Sequence, residues 1–193
     1  MALVYFITHA DVQIDAAVPV PEWPLSARGH ARMKRLLAKR WAQAVRTIYC
    51  STERKAVDGA RDLAQGLGIG FEAIETLGEN DRSATGFLPK AEFEGVTDQF
   101  FARPDESVRG WERAIDAQHR IVAAMDDVLA RGGRDGDIAV ISHGAVGALY
   151  LCHLKRCPIS RAEDQPATNG GNYYAFDAEG LMLRHGWQSI DGE

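Results

Sequence analysis

Two histidines occupy equivalent places in two separate stretches of the chain. In "VYFITHAD" (4–11) and "IAVISHGAV" (138–146), an apolar run of strand length ends at a hydroxyl residue, and His9 or His143 follows it. A neutral imidazole is a good nucleophile near pH 7, so one of these histidines could take up a phosphoryl group covalently.

A third stretch, "CSTERKA" (50–56), joins an apolar run to a helical pattern in the same way and offers Ser51, Arg54 and Lys55. Cations are disfavoured at the start of a helix, so their presence there favours an anionic partner. Gly144 opens another helical pattern directly after His143, and the free N–H groups of a helix start also suit an anion. Together these features predict a phosphate-sized site that stabilises charge on phosphoryl oxygens.

The periodicity of the chain indicates the elements that carry these residues. Strands are predicted over 2–8, 47–51, 69–75 and 136–142, and helices over 26–44, 52–68, 107–131 and after His143. Residues 172–187 are typical of two strands around a turn. The segment 77–108 lacks periodicity and is long for a loop, so we expect partly helical structure over a site, with its phenylalanines packed onto the domain.

Alternating strands and helices predict an α/β fold. We expect one domain over 1–193, a three-layer α/β/α sandwich whose mostly parallel sheet has an antiparallel edge. In such sheets ligands bind beyond the carboxyl ends of the strands. His9, Ser51 and His143 are therefore predicted at one edge of the sheet, with the two histidines as neighbours.

The composition limits the partners. The chain has 193 residues, 46% of them hydrophobic, and a formal net charge of -5. That charge argues against nucleic acid or an anionic membrane as the main partner and leaves a small phosphorylated substrate possible. Three cysteines without CxxC spacing fit a reducing cytoplasm, and neither a signal peptide nor a transmembrane run is predicted. We expect no metal and no cofactor, and the oligomeric state stays open.

The order of the motifs resembles the histidine phosphatase superfamily, the phosphoglycerate-mutase-like proteins, over nearly the whole chain. "FITHA" is similar to the family's Arg-His-Gly strand end, and "VISHGAV" to its Ser-His-Gly motif. "WPLSARGHARM" resembles its Leu-Ser-x-x-Gly helix start, and "CSTERKAVDGA" its Ser-Pro-x-x-Arg-Ala-x-x-Thr-Ala segment. "LGEN" and "RGWERAIDAQHRI" are similar to the segment with the family's acid and to a later helix.

The resemblance implies a phosphomonoester hydrolase that works through a phosphohistidine, with mutase activity a less economical choice. His9 would be the nucleophile, and Glu79 would give a proton to the leaving oxygen. His143 would bind the phosphoryl oxygens, helped by the cation of the Ser51 segment. Glu75 and Asp81 stay open as alternatives to Glu79.

The chain departs from the family pattern in its cations. Thr8 stands where the family has arginine before the nucleophile, and Ala10 stands where it has glycine after. The second arginine aligns with Lys55, although Arg54 beside it could turn inward. Lysine is a point charge, whereas arginine grips two phosphate oxygens, so the pocket is expected to lack bidentate donors. Candidates to replace them are Arg28, Arg82 and Arg109.

Two other functions remain possible from the sequence. A protein that kept the pocket and lost its arginine could bind a phosphorylated ligand without turnover, and Thr8 supports that reading. A zinc or manganese hydrolase is the second alternative, in which His9 and Asp11 would be joined by Glu79 and His143. No second metal-binding pair with regular spacing supports the metal site.

Overall fold

The fold is a six-stranded sheet between two layers of helices. The computed structural model describes residues 2–132 and 136–192. The strands are β1 (Leu3–Thr8), β2 (Val45–Ser51), β3 (Glu72–Ile74), β4 (Asp137–Ser142), β5 (Asn172–Asp177) and β6 (Leu183–Ser189). Their order is β3-β2-β4-β1-β5-β6.

The pairing of the strands brings the expected tips to one edge. β1 runs parallel to β4, which runs parallel to β2, so the carboxyl ends of all three meet. The register places Thr8 opposite Ser142, directly before the two histidines. β5 is antiparallel to β1, and β6 to β5, which is the antiparallel part expected from 172–187.

Alternate residues of the central strands feed two cores. Successive side chains of a strand point to opposite faces, so Phe6 and Val140 pack on one face while Ile7 and Ile141 pack on the other. The helices are α1 (Ala27–Met33), α2 (Arg54–Leu67), α3 (Lys90–Ala102), α4 (Ala114–Arg131) and α5 (Gly144–Lys155). α1 and α2 cover the Ile7 face, and α3, α4 and α5 cover the Phe6 face. The three-layer, single-domain α/β prediction is confirmed.

Several element boundaries differ from the sequence prediction. α1 ends at Met33 and continues only as 3-10 turns over Lys34–Ala38 and Arg40–Ala44, which the extended backbone of Lys39 separates. The helix expected from 107 begins at Ala114, because Arg109 and Gly110 have left-handed backbone angles (φ 53° and 81°) that no α-helix accepts. β3 pairs with β2 over three residues only.

The segment 77–108 contains α3, in agreement with the expectation of partly helical structure there. Within the described residues, no helix has the length and apolar character needed to cross a membrane.

Candidate active site

His9 follows β1 and lines a cavity of about 550 Å³. Its backbone is held on both sides, since its N–H donates to the carbonyl of Ser142 (3.1 Å) and its carbonyl accepts from Gly171 N–H (2.9 Å). Gly170 has φ +72°, and a Cβ there would lie 2.0 Å from the His9 carbonyl oxygen. Only glycine permits so close an approach, so the loop before β5 fixes the position of His9.

The imidazole of His9 is poised as a free base. Its Nδ1 lies 2.9 Å from the carbonyl oxygen of Ala10, which can only accept, so Nδ1 carries the proton and Nε2 has a free lone pair. Burial and the nearby Lys55 ammonium lower the pKa of His9 to about 4. The ring is therefore neutral and nucleophilic at physiological pH.

His143 lies beside His9 but is completely buried. The two ring centroids are 5.2 Å apart, and no side-chain atom of His143 reaches solvent. Neither ring nitrogen has a hydrogen-bond partner among the described residues, and Nε2 lies 3.4 Å from Oε1 of Glu53. Burial lowers the pKa of His143 well below its usual value, against the opposing effect of the Glu53 carboxylate. His143 is therefore a neutral ring behind His9.

Glu79 lines the same cavity as His9 and is held at the start of α5. Its Oε2 accepts from Ala145 N–H (3.2 Å), and its Oε1 accepts from Val146 N–H (3.1 Å). The helix-start amides that the sequence assigned to an external anion thus contact the protein's own carboxyl group. Arg120 of α4 fixes this loop by donating to the carbonyls of Gly78 (2.9 Å) and Glu79 (3.1 Å).

The environment of Glu79 suits a general acid. Burial raises the pKa of its carboxyl group, and this effect exceeds the lowering by Arg82 and by the two amides. A carboxyl that keeps its proton closer to neutral pH can deliver it to a leaving oxygen. For Asp81, one of the two predicted alternatives, hydrogen bonds from Ser83 lower the pKa, which does not suit an acid.

Glu53 is the site residue that sequence reasoning missed. Its side chain is only 12% exposed, its Oε1 accepts from Glu79 N–H (2.8 Å), and its other oxygen pairs with the Lys55 ammonium. Lys55 also donates to the carbonyl of Val20 (2.9 Å). Burial would raise the pKa of Glu53, but the Lys55 ammonium and the hydrogen bond from the Glu79 N–H hold it well below its usual range. Glu53 is therefore an ionised carboxylate that lies against Lys55, His143 and the backbone of Glu79.

Thr8 does not face the cavity. It is fully buried, and its hydroxyl donates to Oε1 of Gln165 (2.7 Å) while accepting from Asn172 N–H (3.0 Å). Asn172 also donates its side-chain amide to Oε1 of Gln165 (3.0 Å). With its oxygen held in this way, Gln165 presents its Nε2 donors beside Gly144, both residues lining the cavity. Gln165 is a second residue that sequence reasoning missed.

Of the proposed arginines, the structure brings Arg82 to the cavity. Its guanidinium lies over the rings of Phe93 (5.1 Å) and Trp111 (5.7 Å), which also line the wall. The others point outward in ion pairs: Arg28 with Asp11 (3.7 Å), Arg54 with Asp58 (3.6 Å) and Arg109 with Glu92. Arg82 is therefore the candidate arginine that is placed to replace the missing cation at the cavity.

Two further predicted residues have local roles. The Oγ of Ser51 is buried and accepts from Glu53 N–H (3.1 Å), which shapes the start of α2. Asp11 pairs with Arg32 (2.7 Å), a buried residue that also donates to the carbonyls of Thr168 and Gly170, both at 3.0 Å. Arg32 of α1 thus anchors the loop beside His9.

The structure does not support the alternative of a zinc or manganese hydrolase with a group of metal ligands. No cluster of three or more His, Cys, Asp or Glu side chains with the geometry to hold a metal ion occurs in residues 2–132 and 136–192. The Asp11 carboxylate faces arginines, where a metal site would need it beside His9.

The fold and site define a class: α/β sandwiches with a histidine nucleophile candidate at one strand tip, a second histidine at the next and a carboxyl group above them. Residues 4–178 match the histidine phosphatase superfamily, branch 1. The chain belongs to this superfamily. A search of curated proteins finds no match.

Solved structures share this fold at low sequence identity. A mycobacterial glucosyl-3-phosphoglycerate phosphatase in complex with inorganic phosphate is 17% identical over 100% of both chains, with a TM-score of 0.79. YhfR of Bacillus stearothermophilus is 20% identical over 96% of this chain and 95% of its own, with a TM-score of 0.75. A phosphoserine phosphatase of Entamoeba histolytica, in complex with 3-phosphoglyceric acid, is 16% identical over 98% of both chains, with a TM-score of 0.75.

Proposed function

We propose that this protein is a phosphomonoester hydrolase that acts through a phosphohistidine on a small phosphorylated metabolite. The observation that carries the proposal is the tautomer of His9, whose Nδ1–H is fixed on the Ala10 carbonyl so that Nε2 is a free base. Membership of a phosphatase superfamily supports the same chemistry.

The proposed reaction has two displacements at phosphorus. The Nε2 lone pair of His9 forms the P–N bond while the P–O bond to the leaving group breaks, and Glu79 gives its proton to the departing oxygen. Glu79 then takes a proton from water as the water oxygen attacks phosphorus. The P–N bond breaks, phosphate leaves and His9 returns to the free base. Arg82 and the Gln165 amide would stabilise the phosphoryl oxygens.

Hydrolysis is preferred over a mutase reaction, because a mutase must protect its phosphoenzyme from water and rebind an intermediate. No feature of the cavity supports such retention. A cytoplasmic location is proposed from the three cysteines, all of which are free thiols.

The test is a broad phosphomonoester panel with wild type, His9→Ala and the matched control His119→Ala. His119 is an exposed residue of α4. Wild type and the control should turn over the same substrates and yield an acid-labile, base-stable phosphoenzyme after rapid quenching. His9→Ala should lose at least a thousandfold in kcat/KM and trap no adduct. Full turnover by His9→Ala would refute the nucleophile assignment.

A second candidate function is binding of a phosphorylated ligand with little turnover. The burial of Thr8 and the pairing of Lys55 with Glu53 favour it, because neither family arginine position supplies a free cation. Saturable binding of phosphate compounds without measurable hydrolysis across the panel would support this candidate against the hydrolase.

A further inference from the structure

The charges around the two histidines largely cancel. Lys55 stands where the superfamily resemblance places an arginine, but its ammonium is buried and paired with Glu53. The Glu53 carboxylate is also 3.4 Å from Nε2 of His143, the ring expected to bind phosphoryl oxygens. A carboxylate at this point opposes any anion placed before His9.

The charged or titratable groups around Glu53, among the residues that the structure describes, come from several elements. They are Lys55 on α2, His143 at the start of α5, Glu79 in the loop after β3, His9 at the end of β1, Arg82 at the cavity and Arg120 on α4, which is paired with Glu112. Both histidines are neutral near pH 7 because their pKa values are lowered. The charges of Lys55 and Glu53 cancel, as do those of Arg120 and Glu112, so Arg82 is the net positive charge that this group of residues offers before any charge on Glu79 is counted.

The outer wall of the cavity adds little charge. Two cations, Lys90 and Arg161, lie there with two carboxylates, Glu94 and Asp164, and Arg161 pairs with both carboxylates. A phosphate dianion at His9 would therefore meet about one compensating charge, whereas a monoanion would be neutralised.

We propose that Glu53 is a specificity-determining residue that makes the site select a phosphoryl group carrying one negative charge. The inference rests on the proposed phosphoryl site at His9. It implies that a phosphomonoester binds as its singly protonated form, in place of the dianion that a site with two arginines would take.

The test compares two tetrahedral ions of fixed charge at one pH, sulfate as the dianion and perrhenate as the monoanion, by isothermal titration calorimetry. At an effective dielectric of about 20, a unit charge a few ångströms away changes the affinity for another charge by well over tenfold, and screening at an open cavity reduces this to on the order of tenfold. Glu53→Gln should therefore raise the affinity for sulfate, relative to perrhenate, by about tenfold. Different hydration of the two ions cancels when this ratio is compared between variants.

Two further variants make the test specific. Glu75→Gln removes an exposed carboxylate nearby and should leave the ratio within about twofold of wild type. Glu53→Gln/Lys55→Gln removes both members of the buried pair, so it avoids an unpaired buried lysine, and the ratio should return to within about threefold of wild type.

An unchanged ratio in Glu53→Gln, with both ions bound, would overturn the role of Glu53 and leave the proposed phosphoryl site intact. The same conclusion would follow if Glu75→Gln shifted the ratio as much as Glu53→Gln. If neither ion bound to wild type or to any variant, the phosphoryl site itself would fail, and the proposed function with it.

Discussion

At the scale of single residues, opposing interactions act on the pKa of Glu79. Two backbone amides at the start of α5 stabilise its ionised form, while burial stabilises the protonated form and prevails, so its pKa is raised. The same hydrogen bonds that orient the carboxyl group thus limit how far its proton is retained. Glu79 therefore keeps its proton to a higher pH than an ordinary glutamic acid, while His9, with a pKa of about 4, stays a free base.

A conservative variant separates the chemical role of Glu79 from its structural one. Glu79→Gln has one acceptor oxygen in place of two, so it keeps one of the two contacts with the amides of α5. It cannot supply a proton to the leaving group. We expect kcat on alkyl phosphates to fall at least a hundredfold, and kcat on nitrophenyl phosphate to fall less than tenfold, because nitrophenolate leaves without a proton. The alkaline limb of the pH profile should also disappear.

Steady-state kinetics on both substrates from pH 4.5 to 8 measure this, with Glu75→Gln as the matched control. Equal losses on the two substrates would assign Glu79 a purely positional role.

At the scale of elements, the loop before β5 contributes a hydrogen-bond donor to the cavity that the sequence did not predict. Gln165 presents its amide to the cavity because Thr8 and Asn172 hold its oxygen. Thr8, which stands at the position of the family arginine, therefore acts through Gln165, a residue 157 positions away.

Gln165→Ala should lower kcat/KM by on the order of a hundredfold, the usual cost of one lost donor to transition-state charge. Thr8→Val should lower it too, because the amide is no longer oriented. Gln13→Ala, an exposed position, is the control, and an unchanged rate in Gln165→Ala would exclude the amide from the site.

Thr8→Arg tests the same element from the other side. Thr8 has no exposed surface and its hydroxyl is hydrogen-bonded to Gln165, so a guanidinium there must be buried or must displace Gln165. We expect a lower midpoint in urea unfolding and no gain in kcat/KM. A tenfold gain in kcat/KM would mean that the arginine reaches the phosphoryl group and that Gln165 does not replace it.

The sequence predicted well what depends on local periodicity and chain order. The alternation of strands and helices, the common edge of the strand tips and the proximity of His9 to His143 all follow from patterns within short stretches. Glu53 and Gln165 did not follow, because their importance comes from partners brought together by tertiary packing. The role of Arg32 also depends on tertiary packing, since its buried guanidinium is stable only when Asp11 and Asp191 meet it from distant parts of the chain.

At the scale of the whole molecule, the two neutral histidines link stability to pH. The pKa of His9 is lowered to about 4, and that of His143 is lowered well below 6.5, in both cases chiefly by burial. In the unfolded chain both histidines titrate near pH 6.5. Between about pH 4 and 6.5 the unfolded state therefore binds more protons than the folded state, and stability rises with pH across this window.

His143→Gln isolates one of these two contributions. Each histidine that is neutral when folded and protonated when unfolded contributes about 1.4 kcal/mol per pH unit, so the wild-type free energy of unfolding should fall by up to about 2.7 kcal/mol per unit as the pH drops below 6. Glu79, whose pKa is raised, acts with the opposite sign and is common to both proteins, so it cancels in their difference. His143→Gln should be less steep by about 1.4 kcal/mol per unit, whereas exposed His119→Gln should match wild type. Urea unfolding at half-unit steps from pH 4.5 to 7.5 gives these slopes. A His143→Gln slope equal to that of wild type would mean that His143 is protonated in the folded protein, and its pairing with Glu53 would then be a true ion pair.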